Sequence, residues 1–219
     1  MSLETELYKT ICAVDGINSD ILSIQYEGGN EHVHAGVNRW TLSLWNDNDV
    51  KLKGNCIIDQ VEQLEKELAD DIINGTNKAV TPKGLICTDN IITNIGLTES
   101  AKRDTGEVAT TLTHNSIGTG TTTPTVSDTD LATEDTGGSY ARQAYAAAGQ
   151  RKVSNQTAKY GMLWNDGDVS SVPISITESG VHWTVSTASN MHARVTFTAF
   201  SMTTGDLFVT QINELMVNG

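Results

Sequence analysis

The sequence predicts a mainly β chain: an antiparallel β-sandwich of jelly-roll type over residues 79–219, behind a smaller α+β region over residues 1–78. Three observations carry this expectation. From Tyr160 onward, short runs of alternating apolar and polar residues follow one another, each flanked by turn residues. One segment alone, residues 56–74, has helical instead of strand periodicity. A chain of 219 residues with 38 % hydrophobic content holds one large β domain, or a medium domain with a smaller appendage.

In residues 1–54 a short opening helix or strand leads into β-structure, with apolar positions at Ile21, Ile24, Val33, Val37, Trp40, Leu42 and Leu44. Gly28-Gly29-Asn30 reads as a turn. Trp40, Leu42 and Leu44 alternate with Thr41, Ser43 and Trp45, the period of a half-buried strand. In the helix, Ile57, Val61, Leu64, Leu68 and Ile72 recur at helical steps and share one face. Glu62 and Lys66 form a favourable pair one turn apart, and Gly75 stops the helix. At about 1.5 Å per residue it is ~27 Å long. Its stripe either covers its own domain or serves as an oligomer face in a parallel trimeric bundle.

Residues 90–102 carry a short helix, with Ile91, Ile92, Ile95 and Leu97 facing inward. Strands are expected at 160–164, 172–176, 182–187, 193–200 and 207–215. Within 194–200, Val195, Phe197 and Ala199 take one face and Thr196, Thr198 and Phe200 the other. Thr204-Gly205-Asp206 is a hairpin turn. Residues 45–50, WNDNDV, echo residues 164–169, WNDGDV. Both copies read as tight turns, and neither has the further ligands of an EF-hand calcium loop.

Residues 117–134, IGTGTTTPTVSDTDLATE, form a turn-rich loop anchored by Ile117, Leu131 and Glu134. Gly118 and Gly120 permit backbone angles closed to other residues, and Pro124 fixes one more. Ser127, Asp128 and Thr129 can pair the loop backbone locally. A phosphate cradle does not fit, because no Lys-Ser/Thr pair follows Gly120 and no basic residue appears before Arg142.

A net charge of −13 and scattered Lys and Arg argue against a nucleic-acid surface. No apolar run is long enough to span a bilayer, and residues 1–15 lack the pattern of an ordinary signal peptide. Cys12, Cys56 and Cys87 are expected to be reduced thiols of a chain made in a cytoplasm. His32 and His34 share a strand face and are weak metal candidates, with no third ligand at helpful spacing. No local catalytic signature is present, so neither enzymatic activity nor a cofactor is expected. Trp40, Trp45, Trp164, Trp183 and Tyr145 are the candidate stacking platforms if the chain binds a glycan.

Residues 85–219 carry an ordered series of motifs, which begins at Ile92-Thr93-Asn94-Ile95-Gly96-Leu97 and passes through Ile117-Gly118-Thr119-Gly120. It continues with T-x-P-x-x-S-D-T-x-L-x-x-E from Thr122 to Glu134, then Arg142. A strand from Ile176 to Gly180 and an aromatic-bearing strand from Val181 to Val185 follow. Ala193, Arg194 and Phe197, the Gly205-Asp206 turn and a closing strand complete it. In this order the motifs resemble a domain of virion proteins, often labelled tail-fibre proteins, of tailed bacterial and archaeal viruses. Ser179, where that family tends to have an apolar residue, and the polar segment 135–156 depart from the pattern.

The resemblance implies a non-enzymatic virion structural protein, made in the host cytoplasm and shown on the particle surface as capsid decoration, turret or short appendage. Expected partners are further copies of itself, as a trimer, and the major capsid or tail proteins of the same virion. Residues 1–78 are then the attachment or oligomerisation region. The alternative is a tail-fibre or baseplate module recognising a host-surface glycan. Glu178 and Glu134 are expected to pair with Arg142 or Arg194 inside the sandwich.

Overall fold

A computed structural model describes residues 37–76, 78–107, 111–137, 142–146, 148–154, 157–185 and 190–215. The expected turn at residues 28–30 and the pair His32 and His34 lie outside the described residues. In chain order the elements are β1 (Val37–Asn46), α1 (Ile57–Asn74), β2 (Gly84–Asp89), β3 (Ile91–Ile92), α2 (Asn94–Asp104) and β4 (His114–Gly118). They continue as β5 (Gln143–Ala144), β6 (Arg151–Ser154), β7 (Thr157–Asn165), β8 (Ile174–His182), β9 (Met191–Met202) and β10 (Asp206–Leu215).

The chain is mainly β, and its described residues form two five-stranded sheets whose neighbouring strands are antiparallel. The first runs β2-β1-β10-β7-β6 and the second β3-β9-β8-β4-β5. Four of the pairings are nested: β1 lies beside β10, β3 beside β9, β4 beside β8 and β6 beside β7. The main apolar cluster takes side chains from both sheets, among them Trp40, Trp164 and Phe208 from the first and Ile117, Ile176 and Val195 from the second.

Alternation in β1 sends Trp40, Leu42 and Leu44 into that cluster. The other side of the strand is covered too. Trp45 joins Ile57, Ile58, Val61, Leu207 and Val209 in a second cluster beneath α1, so Thr41, Ser43 and Trp45 are buried instead of solvated. Ion pairs at the helix margin, Lys159–Glu62 at 2.6 Å and Lys152–Asp59 at 2.5 Å, tie α1 to β7 and β6. Gly161 makes the close fit possible, since a Cβ there would stand 2.8 Å from the Ile58 side chain.

The boundary expected at residue 78 does not divide the described chain. β1 pairs over its whole length with β10, and α1 covers the same sheet, so elements from both sides of residue 78 share one hydrogen-bonded framework. The helix stripe also divides. Ile57 and Val61 are buried, Leu64 and Leu68 half-buried, and Ile72 is 41 % exposed. Ile57→Ala is therefore expected to lower unfolding free energy by about 2–5 kcal/mol, and Ile72→Ala to change it by about 0.5 kcal/mol or less. Denaturant titration of the two variants checks this; a helix stabilised mainly by a trimeric bundle would bring the two costs together.

Further differences have local causes. The helix expected at 90–102 begins at Asn94, because Thr93 caps it by accepting from the Gly96 amide at 3.0 Å. Ile91 and Ile92 form β3 instead, and Leu97 is 52 % exposed. The expected strand at 182–187 is the end of β8, which stops at His182 before a bend at 183–185. In β9, Phe200 and Val195 share the main cluster although alternation separates them. The pairing shifts here, with Phe197, Thr198 and Ala199 set against Thr177 alone.

Candidate functional site: a loop held by two buried arginines

The loop of residues 119–133 leaves β4 and returns to it. Thr119 N donates to Thr133 O at 2.9 Å, Asp135 N donates to Ile117 O at 3.0 Å, and Gly118 bridges to Glu134. Within the loop, Asp128 accepts from the Thr125 amide at 3.1 Å and the Thr125 hydroxyl at 2.7 Å. Val126 O accepts from Asn94 N at 2.7 Å, which seats the crest on the start of α2. Leu131 is buried, and Pro124 is half-buried between exposed threonines.

A buried carboxylate organises this ring. Glu178 of β8 is 0 % exposed, and its oxygens accept from Gly120 N at 3.0 Å, Ala132 N at 3.1 Å and Thr133 N at 2.7 Å. Arg194 of β9, only 2 % exposed, donates to the same carboxylate from Nε at 3.0 Å and approaches it with Nη2 at 2.8 Å. Its Nη1 donates to Asp128 at 2.6 Å, and Nη2 also donates to Thr122 O and Oγ1, each at 3.0 Å. Asp128 is held below the usual carboxylate range: partial burial pushes it up, but Thr125 and Arg194 outweigh burial.

Arg142 secures the returning arm. It grips Glu134 with two parallel bonds, Nε to Oε1 at 2.9 Å and Nη2 to Oε2 at 2.8 Å, and also bonds Asp130 and Asn190. Burial opposes its charge, yet Glu134 and Asp130 together raise its pKa. The four charged residues thus sort into Glu178 with Arg194 and Glu134 with Arg142.

The two loop glycines are needed for space rather than for unusual backbone angles. Neither has a positive φ; among the described residues that belongs to Gly75, Gly106 and Gly205. A Cβ on Gly120 would sit 2.3 Å from Glu178 Oε1, and one on Gly118 would sit 2.3 Å from Thr133 O. Side chains at either position would push the loop off its carboxylate.

Beside the loop lies a polar cluster with no signal in the sequence pattern. Ser116 and His182 are fully buried and share a 2.6 Å hydrogen bond between Oγ and Nε2. Burial, with Arg142 and His114 nearby, holds the His182 imidazole well below its usual pKa, so it is neutral at pH 7. Asn115, also fully buried, accepts from Trp164 Nε1 and Thr210 Oγ1, each at 3.1 Å, and donates to Gly180 O at 3.1 Å. Ser179, the departure from an apolar residue, is buried and donates to Ser116 O at 2.7 Å.

The echoed segments are turns of matching construction. Asn46 Oδ1 accepts from Asn48 N at 2.8 Å, and Asn165 Oδ1 accepts from Gly167 N at 2.9 Å. The Thr204-Gly205 turn lies against both: Gly205 O accepts from Asp47 N, and Gly205 N donates to Asp166. Among the described residues no three His, Cys, Asp or Glu side chains come together as a metal cage. All five candidate stacking aromatics are buried, Trp183 the most exposed at 4 %, with the Arg103 guanidinium 5.6 Å from its ring centroid. Cys56 and Cys87 are thiols. Among the described residues no helix is long and apolar enough to cross a membrane.

No family model, no curated protein and no solved structure matches this chain.

Proposed function

We propose that the chain is a non-enzymatic structural protein of a tailed-virus particle. It is a β-sandwich of jelly-roll type, displayed on the particle surface as capsid decoration, turret or short appendage and assembled as a trimer. The observation that carries the reading is the loop at 119–133. Its polar anchors, Glu178, Arg194, Arg142 and Glu134, bond one another and the loop backbone, while Thr121, Thr123 and Thr125 face solvent. Such a loop keeps a fixed outer shape, and the motif order of residues 85–219 supports the viral setting. The nested pairing of first strand with last supports the jelly-roll form.

Capsid and tail proteins of the same virion are the partners in this reading. The glycan-binding alternative has less support, because the aromatics that would stack on a sugar are in the interior. Quantitative mass spectrometry of purified particles tests the proposal. The expected result is this chain in fixed ratio to the capsid or tail proteins, and a mass about three times 23.5 kDa for the purified protein. Loss of the chain from washed particles would sink the virion assignment; a monomer mass would sink the trimer alone.

A further inference from the structure

Thr41 and Gln211 stand directly opposite each other on β1 and β10, two interior strands of the first sheet. Each is 1 % exposed. They share the face that α1 covers: Trp45 of β1 and Val209 of β10 lie on it in the second cluster, and residues 41 and 211 follow at period two. The Thr41 hydroxyl and both polar atoms of the Gln211 amide are buried with no hydrogen-bond partner among the described residues. Burying an unsatisfied polar group is costly, and here three such atoms meet on one facing pair. Directly opposite residues hold their Cβ atoms about 4.5–5.5 Å apart, which brings a threonine hydroxyl within reach of a glutamine amide carbon.

The covering helix supplies a carboxylate. Asp59 of α1 pairs with Lys152 of β6 and Glu62 with Lys159 of β7, and those two lysines are partners across the strands. Three helical residues rise about 4.5 Å, close to one strand spacing of about 4.8 Å, so α1 advances across the sheet. Three more residues bring Glu65 over β10, where Asn213 is the next partner of Lys159. Glu65 is 3 % exposed and belongs with Val61 to the buried stripe of the helix.

We propose that Thr41 and Gln211 join in an intramolecular ester. The Thr41 Oγ1 attacks the side-chain carbonyl carbon of Gln211 and forms the new O–C bond. The bond from that carbon to Nε2 breaks. The hydroxyl proton passes through the Glu65 carboxylate to the departing nitrogen, which leaves as ammonia. Nothing is oxidised or reduced, and no second reactant enters. The same burial keeps water from the finished ester. β1 and β10 then cannot separate without breaking a covalent bond, wherever the protein is displayed.

Intact mass spectrometry of the full-length protein tests this. The expected mass is below the sequence mass by one ammonia. Thr41→Val and Glu65→Gln are expected to keep the full mass, and Thr41→Ser, which retains a hydroxyl, to show the loss. Cleavage after Lys and Arg should release residues 40–51 and 195–219 as one linked product, which mild alkali separates. The wild-type measurements stand even where a variant fails to fold. A wild-type protein of full sequence mass overturns the proposal, and so does ammonia lost within a single peptide, such as the one carrying Asn74-Gly75. An unchanged link in Glu65→Gln overturns the proton route.

Discussion

Replacing Glu178 with alanine is expected to destabilise the protein by about 3–5 kcal/mol, the range for breaking a buried ion pair from one side. The change leaves the Arg194 guanidinium 2 % exposed with Asp128 as its remaining carboxylate partner. It also removes the acceptor of three loop amides, at Gly120, Ala132 and Thr133. An unpaired buried donor costs about 1–3 kcal/mol, but these amides can turn to water if the loop lifts, so their costs do not simply add. Denaturant unfolding measures the loss, and exchange at those three amides reports the lifting. Glu178→Gln keeps the acceptor oxygen and removes the charge, so it should fall between wild type and Glu178→Ala. The double variant Glu178→Leu/Arg194→Met separates stability from shape: apolar replacement recovers much of the loss while the loop still loses its staple. Unchanged stability in both Glu178→Ala and Glu178→Gln would defeat the idea that this carboxylate organises the loop.

What the sequence makes visible here follows from which faces are covered. β7, β9 and β10 stand out because their apolar positions recur at period two beside turn residues. α1 stands out because five apolar residues share one helical face, although the far end of that stripe meets no cluster. β4 is illegible: HNSIG reads as loop, yet tertiary pairing with β8 makes it a strand and buries Asn115 and Ser116. A polar residue in a strand ordinarily marks a solvated face, and that inference fails where a loop or helix covers the other side of the sheet. The same cover hides the partners of the loop. Charged residue types at 134, 142, 178 and 194 are visible in the sequence, whereas their pairing depends on strand register. Gly118 and Gly120 look like backbone-angle residues because glycine has two uses, and the sequence does not separate close approach from positive φ.

Asn115→Leu should cost roughly as much as loss of Glu178, about 3–5 kcal/mol, through a different mechanism. Asn115 lies on β4 of one sheet, and its oxygen accepts from Trp164 on β7 and Thr210 on β10 of the other. Its amide nitrogen returns to Gly180 O on β8. Leucine has the same branching but is larger, so no cavity forms and the cost comes from orphaned polar groups together with some overpacking. The Trp164 indole N–H and the Gly180 carbonyl lose partners inside the main cluster, at about 1–3 kcal/mol each. The Thr210 hydroxyl can rotate, which keeps its share small. Trp164→Phe removes one of the orphaned donors, so in the Asn115→Leu background it should cost less than in wild type, by about 1 kcal/mol or more. Denaturant titration of the four members of this double-mutant cycle measures that coupling. Full additivity would show that the bond from Trp164 to Asn115 does not hold the two sheets together, and that apolar contact alone does.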